Sequence, residues 1–203
     1  MFSLDSCEKL LLLGVARRAM IAAVSGRESG AEELPAELSA LQCAGAFVTL
    51  RQRGRLRGCI GQIGVKQSAA DVIAYSARAA ALDDPRFLPV RAAELPEIEI
   101  ELSILSSPEI VRADQIEAGR HGLIVSRGFQ RGVLLPQVAT EHQWDSRTFL
   151  EETCAKAGLD RNAWSDPETQ ILAFTALVFG ELELVKHSAE SRDGLTADYS
   201  SST

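Results

Sequence analysis

Two kinds of apolar pattern alternate along this chain, one with helical spacing and one that repeats every second residue. Residues 3–25 carry apolar side chains at helical spacing. Ser3, Asp5 and Ser6 offer N-cap oxygens ahead of them, and Gly26 suits the stop. Residues 27–40 are polar, contain Pro35 and read as a connecting loop with one short turn. From 44 to 50 (AGAFVTL) the composition becomes strand-like, and residues 51–63 (RQRGRLRGCIGQI) read as a hairpin folded back at Gly54. Ser68 then starts an alanine-rich helix with Asp71 as its capping-box partner. That helix ends near Asp83-Asp84-Pro85, because the residue before a proline disfavours helix. Residues 98–105 (IEIELSIL) alternate cleanly. Ile98, Ile100, Leu102 and Ile104 are expected to face a core, with Glu99, Glu101 and Ser103 on the opposite side.

The second half follows the same order. Residues 121–126 and 132–138 read as another hairpin. Asp145 caps a helix closed by Gly158, with Phe149, Leu150, Thr153, Cys154 and Ala157 along one face, and residues 171–178 form an apolar strand. A single offset relates the halves: Arg57 falls on Arg131 (74 residues on), Gly54 on Gly128, Gly58 on Gly132 and Asp71 on Asp145, and strand 98–105 falls on 172–179. Agreement of three separate elements on one offset marks an internal duplication. The expected class is α+β: two pseudo-repeated hairpin–helix–strand units, about 44–107 and 121–181, with a mostly antiparallel sheet, preceded by an N-terminal helix. Together they make one domain over 1–187. Residues 188–203 are small and polar and read as a disordered tail.

Charge and cysteine usage narrow the function classes. The net charge is −7 and the pI about 5.1, which argues against a nucleic-acid binder. No apolar run approaches the roughly 20 residues of a membrane span. The leucine run 10–13 is followed by Arg17 and Arg18 without a cleavage-site pattern, so a cytoplasmic location without membrane attachment is expected. Cys7, Cys43, Cys59 and Cys154 form no C-x-x-C pair and have no histidine at zinc-ligand spacing, so no metal site is expected.

The first hairpin carries the candidate chemistry. Strict alternation puts Leu56, Gly58 and Ile60 on one face and Arg57, Cys59 and Gly61 on the other, a cation beside a thiol. A neighbouring cation favours thiolate, which makes Cys59 a candidate nucleophile or redox thiol. The counterweight is the repeat, where Val133 stands opposite Cys59 and points to a buried strand position. Arg57 is a candidate for binding a carboxylate or phosphate, or for an ion pair with Glu101. Gly58 and Gly61 would permit close approach of a ligand, or mark a bulge or tight strand contact. His121 is the candidate general base toward Cys59, although its repeat counterpart, Phe47, suggests core packing. Asp83-Asp84 reads as a helix end, and Cys154 as core.

At LRGCIG (residues 56–61) the chain resembles the AMMECR domain family, known in bacteria and archaea as AmmeMemoRadiSam system protein A. The resemblance extends through DPRF (84–87), ELSIL (101–105), RHGL (120–123), RGVLLPQVA (131–139), Trp144-Asp145, TCAKAGL (153–159) and Trp164, covering about residues 8–186. It implies an α+β fold with a duplicated β-rich unit. It also implies association with a Memo-like protein and a radical S-adenosylmethionine protein. This chain lacks the C-x-x-x-C-x-x-C cluster motif and is therefore not that second partner itself. The reading is an accessory or binding component acting through a cleft around LRGCIG. The alternatives are a cysteine-dependent enzyme with Cys59 as nucleophile, His121 as base and Arg57 as anion stabiliser, or a protein-interaction module. The sequence names neither substrate nor cofactor.

Overall fold

A computed structural model describes residues 4–27 and 34–182. The tail expected from residue 188 lies outside the described residues. The described residues divide into two compact units, one of residues 4–104 with 178–182 and one of residues 105–177.

In the first unit, α1 (Ser6–Val24) starts at Asp5, whose carboxylate accepts the Glu8 amide while Glu8 accepts the Asp5 amide, a complete capping box. Leu12, Leu13, Ala16 and Met20 are buried along it. After the short α2 (Ala36–Ser39) come β1 (Gln42–Gln52) and β2 (Arg55–Ser68), paired antiparallel. The turn between them holds Arg53 and Gly54 at φ 52° and 74°, the paired positive angles of a type I′ hairpin. α3 (Ala69–Leu82) is capped by the Ser68 hydroxyl and packs on β1, β2 and α1. β3 (Ile98–Leu105) has the expected bounds, and its four alternate aliphatics are buried. Ser103, expected on the side opposite these aliphatics, is buried as well, so this end of the strand is covered on both sides.

Strict alternation fails at the LRGCIG strand. Leu50 pairs with Gly58 but Arg51 pairs with Leu56, so Arg57 is an extra residue in a β-bulge. Leu56 therefore points to solvent, 40% exposed, and does not share a face with buried Gly58.

The second unit contains β4 (Glu109–Ile110), β5 (His121–Arg127), β6 (Gln130–Leu134), α4 (Pro136–Glu141), α5 (Ser146–Lys156) and β7 (Gln170–Gly180), whose last three residues count with the first unit. The expected strand 132–138 is corrected here: β6 stops at Leu134 and residues 136–141 are helical. Pro136 takes the N1 position, where no amide hydrogen is needed, and Leu135 before it is extended at φ −77°, ψ 157°. Asp145 accepts the Thr148 amide, and Gly158 follows the helix end at φ 74°.

The duplication reappears in the topology. β1 lies between its hairpin partner β2 and the closing strand β3; β5 lies between β6 and β7. Two glycines related by the 74-residue offset do the same work. A Cβ on Gly58 would stand 2.2 Å from the Ala80 carbonyl of α3, and one on Gly132 would stand 2.4 Å from the Ala157 amide at the end of α5. In each unit the second hairpin strand touches the backbone of a helix further along, α3 in the first and α5 in the second. Among the described residues no helix is long and apolar enough to cross a membrane. Gly58→Ala and Gly132→Ala are each expected to destabilise the protein by about 1–3 kcal/mol or more through overpacking, measured by urea unfolding. Arg55→Ala, exposed on the same strand as Gly58, serves as the control. Equal unfolding midpoints for Gly58→Ala and Arg55→Ala would refute the close packing of β2 on α3.

Candidate functional site

β2 is the terminal strand of the sheet order, so one row of its backbone groups has no strand partner. At Cys59 that row is claimed by side chains. The Cys59 amide donates to Asp84 Oδ2 at 2.8 Å, and the Cys59 carbonyl accepts from Arg86 Nη2 at 3.1 Å. Arg86 in turn grips Asp84 with two bonds, Nε to Oδ1 at 2.9 Å and Nη2 to Oδ2 at 2.7 Å. The Asp84 side chain is 2% exposed. The Arg86 guanidinium holds its carboxyl far below the usual aspartate range; burial opposes this, and the Cys59 and Arg86 amides add to it. Asp84 is therefore more than the helix end that the sequence suggested. The DPRF segment acts in place of a neighbouring strand at Cys59.

The thiol itself is half-buried. Cys59 pairs with Thr49 across the hairpin, and the Thr49 hydroxyl donates to Sγ at 3.3 Å. The cation facing the thiol is Arg86, not Arg57 as strand alternation suggested. The bulge turns Arg57 elsewhere. Its guanidinium pairs with Glu94 (2.9 and 3.3 Å) and donates to the carbonyls of Leu88 (2.9 Å) and Pro89 (3.3 Å). The carboxylate partner is thus Glu94 rather than Glu101, which sits half-buried on β3. Arg57 and Glu94 are 15% and 14% exposed at their side chains. Arg57, followed by the Arg91 amide, lowers Glu94 from 4.5 to about 2. Arg57 and the Asp84–Arg86 pair together fasten residues 84–94 along β2.

The space above each candidate glycine is filled from within the protein. Gly58 meets α3, and Gly61 lies beneath the ring of its cross-strand partner Phe47, whose Cδ1 would be 2.3 Å from an added Cβ. The same device recurs in the second unit, where Phe174 covers its partner Gly122.

His121 belongs to the second unit, at the start of β5. Its Nδ1 accepts the Glu117 amide at 3.0 Å. The neutral ring therefore carries its proton on Nε2 and has no free lone pair. Cys154 is fully buried, and burial pushes its thiol upward. Among the described residues no three His, Cys, Asp or Glu side chains gather as a metal site.

These features define an α+β protein of two hairpin–helix–strand units whose first hairpin presents a cysteine with its peptide group clamped by a neighbouring loop. The chain belongs to the AMMECR1 family, whose model matches residues 13–179. It is 46% identical over 147 residues to a protein of Methanothermobacter thermautotrophicus, covering 69% of this chain and 77% of that one. It is 41% identical over 183 residues to protein PF1979 of Pyrococcus furiosus, covering 84% and 86%. The crystal structure of the uncharacterised protein PH0010 from Pyrococcus horikoshii is similar to it with a TM-score of 0.77 at 36% identity, over 91% of this chain and 96% of that one.

Asp84→Asn is expected to cost about 1–3 kcal/mol, because it weakens the bonds to Arg86 while the site stays buried; urea denaturation measures it, and no change would remove the clamp from the stability argument. The acid limb gives a second check. Asp84 and Glu94 both have folded values below their unfolded ones, so their contribution is complete above the unfolded value and drains as pH falls through the folded one. For Glu94 the window runs from 4.5 down to about 2. Glu94→Gln is expected to flatten the loss of stability across that window, and an unchanged slope would contradict the Arg57 pairing.

Proposed function

We propose that this protein is an accessory or binding component, and that the LRGCIG strand with its clamped DPRF loop is the surface through which it works. The observation that carries this reading is the combination of a rigid backbone and outward apolar side chains. Arg57 fixes the carbonyls of Leu88 and Pro89, yet Leu88 is 84% exposed and Leu56, next to Arg57, 40% exposed. Exposed apolar side chains held on a pre-ordered loop lower the ordering cost of docking. The Memo-like protein and the radical S-adenosylmethionine protein that the family resemblance implies are the partners of choice. Gly58, Gly61 and Arg57 then serve to shape the surface, with Glu101 at its margin.

The test is co-purification of the tagged protein with those two partners under gentle conditions, comparing wild type with Leu88→Asp. Recovery by the wild type and on the order of tenfold loss in the variant is expected. Absence of either partner with the wild type counts against the reading.

The second reading is a cysteine-dependent enzyme, favoured by the Arg86 guanidinium beside the Cys59 thiol. Iodoacetamide at neutral pH separates the two readings in a Cys7→Ser background, since Cys7 is exposed. The accessory reading expects only slow alkylation of Cys59 in the folded protein. Rapid, Arg86-dependent alkylation supports the enzyme, whereas labelling no faster than at buried Cys154 eliminates it.

A further inference from the structure

The second unit contains a cleft of about 430 Å³, within the size range of small-molecule sites. It lies along β7, which lines it with Ala173, Phe174 and Thr175. Strand register fixes what stands on each flank. Glu109 of β4 is opposite Ala173, and His121 of β5 is opposite Thr175.

The polar groups on these flanks differ in kind. At one end, His121 has Nδ1 occupied by the Glu117 amide, which leaves Nε2–H as a donor without a partner among the described residues. Arg120 beside it spends only Nη1 on Glu117, at 2.8 and 3.0 Å, and keeps the rest of its fork. The Thr175 hydroxyl likewise has no partner among the described residues, although the Thr175 amide is held by Ser106 Oγ at 3.0 Å. At the other end stands the Glu109 carboxylate, exposed and in no ion pair among the described residues. Donors at one end attract an anionic oxygen; the unpaired carboxylate at the other end repels a plain anion and attracts an ammonium.

We propose that this cleft binds a small zwitterion, with its carboxylate at His121, Arg120 and Thr175 and its ammonium at Glu109. Neighbouring strands lie about 4.8 Å apart, so the two flanking strands are about 10 Å from each other across β7. After the side chains reach inward, that leaves room for a short aliphatic spacer over Ala173. The inference rests on the second unit alone and is independent of the function proposed for the LRGCIG surface.

The probes are glycine, 4-aminobutyrate and 6-aminohexanoate, with butyrate and butylammonium as single-charge controls. They are titrated into the full chain by calorimetry and by amide NMR. At least one of the three zwitterions is expected to bind on the order of tenfold more tightly than both controls and to shift the amides of Glu109, His121 and Thr175. Glu109→Gln, on an exposed side chain, is expected to reduce that binding to the level of butyrate in the same variant, and to leave butyrate itself bound at least as tightly as before. Failure of all three zwitterions to outbind butyrate, shifts confined to other amides, or indifference to Glu109→Gln would each overturn the proposal.

Discussion

The first unit depends on how one peptide group is held at the outer side of a terminal strand. The Cys59 amide and carbonyl have no strand beside them, and a half-buried backbone left without partners is costly. Asp84 takes the amide and Arg86 the carbonyl, and the two side chains hold each other. A single dipeptide-spaced ion pair thereby closes the strand edge and fixes the loop that leaves α3. Because Asp84 is buried, its charge is retained only through Arg86 and the two amides, so the clamp forms as a set.

The arginine in the LRGCIG motif extends this arrangement. The bulge at Arg57 turns its side chain toward Glu94 and the carbonyls of Leu88 and Pro89. Residues 84–94 are thus tied at both ends to the same short stretch of β2. A segment without strand or long helix is ordered in this way, and its apolar side chains remain outward. The Cys59 thiol meanwhile accepts from Thr49, so the residue that distinguishes this hairpin from its repeat sits between its cross-strand partner and the Asp84–Arg86 pair.

The two copies of the unit have diverged around a shared packing rule. Gly58 and Gly132 each let a strand touch the backbone of a helix of the same unit, α3 and α5, and Phe47 and Phe174 each cover a cross-strand glycine. What differs is the chemistry left over. The first copy presents Cys59 and the clamped loop. The second presents His121, Arg120 and Glu109 along a cleft lined by β7. Gly54 and Gly128 also occupy different turn positions: Gly54 follows Arg53 as the second central residue, whereas Gly128 precedes Phe129 as the first. Turn chemistry can change in this way as long as the strand faces keep their register.

Local patterns in the sequence determined the hairpin–helix–strand order of the first unit, the duplication, the capped helix starts at Ser68 and Asp145, and the buried aliphatics of 98–105. Those features depend on spacing between near neighbours, which a linear reading captures. Four features were decided only by tertiary structure. The bulge at Arg57 breaks the alternation that a strand suggests. Pro136 begins a helix at the N1 position once Leu135 before it is extended, which ends the strand at Leu134 instead of Val138. Arg57 chooses Glu94 over Glu101 because the loop, not the neighbouring strand, comes within reach. Asp84 serves the Cys59 amide although 25 residues separate them. The thiol's cation therefore comes from a loop far along the chain and not from the motif that contains the cysteine, since a side chain's partners are set by proximity in space and not by spacing along the backbone.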